Sequence, residues 1–130
     1  THAVPLSLIA IFGNLLAPLA CLIGIPWSEA APAGELLATK LFINELVAYL
    51  QLAALDNTIL SERSGLIMTY ALCGFANFSS VGILTGGLVA IAPSRREDIL
   101  QLAPKALISG TLATLMTGAA IGVLPQGLFG

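Results

Sequence analysis

Apolar residues run along this chain in long blocks, and charged residues fall only between them. Residues 1–28 carry no charge apart from neutral His2, a second uncharged block runs from Ser64 to Ser94, and a third from Ala106 to Gly130. The first apolar segment, residues 6–24, approaches the roughly 20 residues needed to span a bilayer. Asn14 and Pro18 interrupt it, so its length leaves both a spanning and an interfacial placement open. Trp27 to Leu55 follows, with Lys40, Asn44 and Glu45 gathered at its middle and Glu29 and Glu35 nearer its start. One straight helix would hold Lys40 and Glu45 near the bilayer centre, each at a cost of roughly 2.5–3.5 kcal/mol. Split around residues 40–44, the segment gives two half-helices of about 12 residues, each about 18 Å long. That is too short for a hydrocarbon core of about 30 Å. The pattern predicts a re-entrant helical hairpin over 26–55, which is tolerated only where its tip is buried in protein or lines a wet cavity.

The break Asp56-Asn57-Thr58 leads to Ser61-Glu62-Arg63, a helix start with an acid in its first turn. Ser64 to Ser94 as one helix would measure about 46 Å, and hiding that length would require a tilt beyond the roughly 40° seen in membranes. Asn77, Ser79 and Ser80 at its middle favour local side-chain-to-backbone bonding, so a spanning helix over 61–93 is predicted to be unwound or kinked near Asn77. The cluster Pro93 to Asp98 reads as a loop or a short amphipathic turn, and a last span, from about Pro104, completes a final transmembrane helix over 97–124. Gly118 and Gly122 form a small-xxx-small pair, as do Ser109 and Ala113, the signature of close helix packing. Arg95, Arg96 and Lys105 outnumber Arg63 at the other end of the broken helix. By the positive-inside rule, residues 93–105 are then cytoplasmic and the 56–63 break external. The hairpin then opens outward with its tip pointing in.

Composition supports a lipid environment. The chain has 130 residues, 57% hydrophobic and 9% charged, against about 25% charged in a soluble domain. A net charge of −2 with no basic patch excludes nucleic acid as a partner. Cys21 and Cys73 lie in apolar segments without ligand-like spacing and read as free buried thiols, and no metal site is expected. His2 reads as a loop or tag residue. No positively charged leader precedes the first apolar run, and the chain does not begin with Met, so it is read as a piece of a longer protein.

Two polar clusters at membrane depth are the candidates for chemistry: Lys40, Asn44 and Glu45 at the hairpin tip, and Asn77, Ser79 and Ser80 at the helix break. Half-helix ends leave backbone groups without partners, and secondary transporters build midplane substrate sites from such ends. Glu45 accepts hydrogen bonds, Asn77 donates and accepts, and Ser80 does either, an inventory that suits a polyhydroxylated ligand. Phe75 offers an aromatic face to a planar ring. Two structural alternatives stand beside this reading. Lys40 and Glu45 would form a buried ion pair, and Asn77 and Ser80 would only tie neighbouring helices together, at about 0.6 kcal/mol each. Tyr49 and Trp27 read as interfacial anchors.

The run Thr39-Lys40-Leu41-Phe42-Ile43-Asn44-Glu45-Leu46-Val47-Ala48-Tyr49 closely resembles the hairpin motif of concentrative nucleoside transporters. The run from Tyr70 through Gly74-Phe75-Ala76-Asn77-Phe78-Ser79-Ser80 to Ile83 is similar to the same family's broken-helix motif, and Leu60–Ser64 and Ala92–Arg96 fit it as well. The resemblance covers nearly the whole chain. It implies an all-α integral membrane protein, of which this chain is the second inverted repeat: an interfacial helix (1–25), the re-entrant hairpin, the broken transmembrane helix and the last transmembrane helix. It further implies a multi-pass plasma or cell inner membrane location, a homotrimer, and inward nucleoside movement driven by sodium or protons. Glu45, Asn77 and Ser80 correspond to ribose-binding residues and Phe75 to one beside the base, with Lys40, Asn44 and Ser79 in support. No cofactor is implied. Most of the coupling-ion site and the base-reading residues belong to the missing N-terminal half, so this piece alone is not expected to transport. Ala38 and Leu46 depart from the motif's usual glycine and phenylalanine, which touches hairpin flexibility or selectivity rather than the ribose set.

The rival readings are three. An enzyme would need a nucleophile–base pair, a metal-ligand set or a GxSxG turn, none of which the sequence offers. A membrane protein that binds nucleoside without moving it keeps the same site residues. A symporter of the same architecture for another sugar-like substrate is the third.

Overall fold

The computed structural model describes residues 7–125. His2 and the first six residues of the 1–25 segment lie outside the described residues. The described chain is all-helical: α1 (Leu8–Leu22), α2 (Trp27–Phe42), α3 (Glu45–Ala54), α4 (Glu62–Ala71), α5 (Phe78–Ile91), a 3-10 turn (Pro93–Arg95) and α6 (Arg96–Val123).

Small polar residues start four of these helices. The side-chain oxygens of Ser7, Asn44, Ser61 and Asn77 accept from the backbone N–H three residues on, at 3.1, 2.9, 3.4 and 2.7 Å. Each cap satisfies a donor that would otherwise be left open at a helix start. At Asn44 and Asn77 the same oxygen divides an apolar stretch into two half-helices, because a capped start in extended backbone cannot continue the preceding helix.

The hairpin is asymmetric: α2 has 16 residues and α3 has 10. The break falls at Ile43 and Asn44, so Lys40 sits inside the last turn of α2 rather than at the tip. Helices α1 and α2 bend by 118° across their turn, closer to perpendicular than to antiparallel. They cross at backbone contact, and Ala17 and Ala20 of α1 and Ala30 and Ala33 of α2 are all buried. A Cβ on Gly34 would run into the Gly13 carbonyl and come within 2.9 Å of the Ala17 nitrogen. If α2 follows the bilayer normal, α1 lies nearer the membrane plane than the normal, which suits an interfacial helix.

The core gathers Ile23, Ile25, Leu36, Leu37, Leu60, Ile67, Met68, Leu72 and Leu115 where α2, α4 and α6 meet. Gly118 and Gly122 do bring α6 close. A Cβ on Gly118 would stand 2.9 Å from the Ala71 Cβ, and one on Gly122 would stand 2.5 Å from the Ile23 carbonyl. Arg63 of α4 donates from Nη2 to the Gly122 carbonyl. Ser109 and Ala113, the other small pair, lie on an exposed face.

Residues 93–95 form a 3-10 turn that runs directly into α6 at Arg96, beside the start expected at 97. The helix runs on through Pro104 for 28 residues, about 42 Å at 1.5 Å per residue. Glu97 and Asp98 in its first turn favour the start electrostatically, and Asp98 pairs with Arg95 at 2.7 Å on an exposed surface.

Candidate functional site

The hairpin tip and the helix break meet. Asn44 caps α3, whose first residue is Glu45, and Asn77 caps α5. Asn77 Nδ2 donates to Glu45 Oε2 at 3.1 Å, while Asn77 Oδ1 accepts from the Ser80 N–H at 2.7 Å. Two half-helix N-termini are thereby joined through one amide and one carboxylate. Both ends carry the positive pole of a helix dipole and N–H groups without intrahelical partners.

The unwound segment 72–77 carries the rest. Gly74 has φ +159°, and a Cβ there would meet Thr114 Cγ2 of α6 at 2.5 Å, so both backbone and space require glycine. The Asn77 N–H closes a tight turn onto the Phe75 carbonyl at 3.0 Å. That turn throws the Phe75 ring outward, 77% exposed. Asn77 itself is 1% exposed, whereas Glu45 and Ser80 are half-buried. The Ser79 and Ser80 hydroxyls make no hydrogen bond among the described residues. A ligand would therefore reach Glu45, Ser80, Ser79 and the Phe75 ring first. Asn77 contributes from below through the second hydrogen of its amide. Acceptors and donors this close together match adjacent hydroxyls on a sugar, and Phe75 matches a flat ring attached to it.

Three expected placements are corrected. Lys40 does not join this cluster, nor does it pair with Glu45: the ion pair among the described residues is Arg95–Asp98. Lys40 is 2% exposed, and its Nζ donates to the Ala71 carbonyl at 3.1 Å and to Thr114 Oγ1 at 2.7 Å. It lies five residues before Glu45 in sequence, across a break that turns the chain, so helical spacing could not relate the two. Tyr49 is not an interfacial anchor: its hydroxyl donates to the Thr69 carbonyl at 2.7 Å. Tyr49 shares a face of α3 with Glu45, four residues earlier, and that spacing was the available signal. Trp27, by contrast, is 71% exposed. Cys73 is exposed, not buried, because it lies in the unwound segment.

Sequence reasoning missed three supports. Phe42 at the end of α2 packs on Phe12 of α1, with ring centroids 4.4 Å apart, and stacks on Phe78 of α5 at 5.3 Å. This ladder braces the tip beside the site. Glu29 Oε2 accepts from both the N–H and the hydroxyl of Ser61 at 3.0 Å, tying the open end of the hairpin to the start of α4. Thr114 reaches the break from α6, far away in sequence.

Comparison with known proteins agrees with this geometry. Residues 1–122 match the family described as the C-terminus of the Na+ dependent nucleoside transporters. The chain is similar to the nucleoside permease NupC of Helicobacter pylori, 48% identical over 122 residues, covering 91% of this chain and 29% of that protein. It is 40% identical to the mouse sodium/nucleoside cotransporter 1, over 95% of this chain and 22% of that one. Its fold matches the structure of CNTnw in an inward-facing substrate-bound state with a TM-score of 0.81 at 44% identity, covering 91% of this chain and 30% of that one. The chain thus spans less than a third of the length of the relatives it matches.

Proposed function

The chain belongs to the Na+-dependent nucleoside transporter family, and on that premise we propose that it supplies the ribose-binding half of the substrate site in a cation-coupled nucleoside symporter. The observation that carries this reading is the Asn77–Glu45 hydrogen bond, which joins the hairpin tip to the helix break. In this reading Glu45 accepts hydrogen bonds from the ribose hydroxyls, Asn77 holds the carboxylate and donates, and Ser80 supplies a further donor or acceptor. Phe75 packs against the base. Asn44 acts by capping α3 so that Glu45 faces the ligand, and Ser79 lies at the rim. Reading of the base, most of the sodium or proton site and the trimer contacts fall to parts of the protein outside this chain. The assembly is a homotrimer in the plasma or cell inner membrane.

The relatives are transporters, and the chemistry proposed for Glu45 is binding rather than catalysis. Binding removes the ribose hydroxyls from water, so an analogue lacking one leaves a buried partner unpaired, at about 1–3 kcal/mol. Uptake of uridine by the full-length parent is the test, wild type beside Glu45→Gln, with and without a sodium gradient and at two pH values. Gradient-dependent uptake that collapses in the variant at normal expression supports the reading and identifies the coupling ion. Uptake indifferent to the substitution would return Glu45 to a structural role, and binding without uptake would favour a non-transporting protein. In competition assays 2′- and 3′-deoxyuridine are expected to fall about 10-fold or more below uridine, as 1.4 kcal/mol is tenfold. Equal competition would remove the ribose roles of Glu45, Asn77 and Ser80.

A further inference from the structure

Helix α4 ends at Ala71, and its last four carbonyls have no partner within the helix; a carbonyl left bare away from water would be costly. All four are nonetheless satisfied, and the partners divide evenly. The Met68 carbonyl accepts from the Leu72 N–H at 2.8 Å and the Tyr70 carbonyl from the Cys73 N–H at 3.2 Å. The other two are taken by the hairpin, one by each limb. Tyr49 of α3 donates to Thr69 at 2.7 Å, and Lys40 of α2 donates to Ala71 at 3.1 Å. Thr114 completes the arrangement: its hydroxyl donates to the Thr111 carbonyl at 2.9 Å and so presents a lone pair to Lys40 at 2.7 Å. An ammonium at a helix C-terminus also meets the negative pole of the dipole.

The geometry points to Lys40 and Tyr49 as positioning residues that cap the broken end of α4, and so hold the unwound segment in its ligand-binding shape before any ligand arrives. Neither side chain is directed at the proposed ligand position; both act through the backbone that carries Phe75 and Asn77. The break and the hairpin are then one unit. Without the two donors, α4 would have either to leave carbonyls bare or to wind on through residues 72–77, and winding on would carry Phe75 and Asn77 away from Glu45. Glu45 and Asn77 join the N-terminal ends of α3 and α5, and Lys40 and Tyr49 seal the C-terminal end of α4. Each polar residue of the hairpin from Lys40 to Tyr49 thus serves one helix end.

The test uses the full-length parent transporter with Cys73 as its one remaining cysteine. Cys73 lies exposed in the unwound segment, so its rate of modification by N-ethylmaleimide reports the order of that segment. Tyr49→Phe keeps the ring and removes only the hydroxyl. It is expected to change the ligand-free labelling rate at least 3-fold and to raise the uridine KM 3- to 10-fold, with Vmax per molecule within 2-fold. Lys40→Met is expected to do the same more strongly, and the double variant should fall short of the product of the two, since both act on one helix end. If Lys40→Met does not reach the membrane, Tyr49→Phe and Thr114→Val carry the test. Unchanged labelling and KM in Tyr49→Phe and Thr114→Val would overturn the inference, as would a fall in Vmax alone. The choice of uridine rests on the function proposed above. Failure of that proposal appears as absent wild-type uptake, whereas failure of this one appears as normal uptake with unmoved Cys73 labelling.

Discussion

The two limbs of the hairpin are built from similar residues and meet at the same tip, yet they are held in opposite ways. Helix α2 buries Ala30, Ala33, Gly34, Leu36, Leu37, Ala38, Thr39 and Lys40, half of its length, chiefly against α1. Helix α3 fully buries Ala48 alone and exposes Leu46 and Leu50 at about two-thirds of their surface. No side chain caps the start of α2, whereas α3 begins on the Asn44 cap. The long limb is fixed by close packing of small residues, which tolerates no added volume. The short limb is fixed by three polar contacts: its Asn44 cap, the Glu45–Asn77 bond and the Tyr49–Thr69 bond. Packing places the tip, and hydrogen bonds aim Glu45.

If that contrast is right, the largest effect belongs to added volume on α2. Gly34→Val would drive two methyl groups into the α1 backbone, and a cost of about 3 kcal/mol or more is expected. It should appear as loss of folded, monodisperse protein in detergent thermal unfolding. Ala53→Val, the matched change on the exposed side of α3, should stay within about 0.5 kcal/mol. Equal effects would erase the distinction between the limbs. An intermediate effect belongs to the cap: Asn44→Ala should cost about 1 kcal/mol and weaken uridine binding, while Ser28→Ala in the first turn of α2 should change neither. The smallest effect sharpens the comparison. Leu46→Ala and Leu50→Ala should each alter the stability of the full-length protein by about 0.5 kcal/mol or less if the outer face of α3 meets only lipid. A cost of about 2 kcal/mol or more, the range for a buried leucine, would mean that another part of the parent covers it.

Much of the fold was legible because lipid restricts what a sequence can do. A charged middle in a 29-residue apolar stretch, between Trp27 and Leu55, leaves a re-entrant hairpin as the reading with few rivals. Asn77 within a block too long for one helix likewise marks a break, and the structure has that break at 72–77. The final helix expected over 97–124 is α6 at Arg96–Val123, and the acids in its first turn favour that start. Pro104 lies inside it without ending it.

The candidate site was legible as a set of residue types and only partly as a set of neighbours. Glu45, Asn77, Ser80 and Phe75 could be named from polarity at membrane depth and from resemblance. Their sequence alone determined two half-helix starts, because a cap acts within three residues and local chemistry decides it. It could not place Lys40, whose direction depends on where the chain turns at Ile43 and on Thr114, 74 residues away. Nor could it place Tyr49, which suits an interface as well as a helix end until α4 is set beside it. Local caps and hydrocarbon exclusion are properties of a short stretch and can be read from it. Which carbonyl a buried ammonium or phenol satisfies is decided by the packing of α2, α3, α4 and α6 together, and only the tertiary structure holds that information.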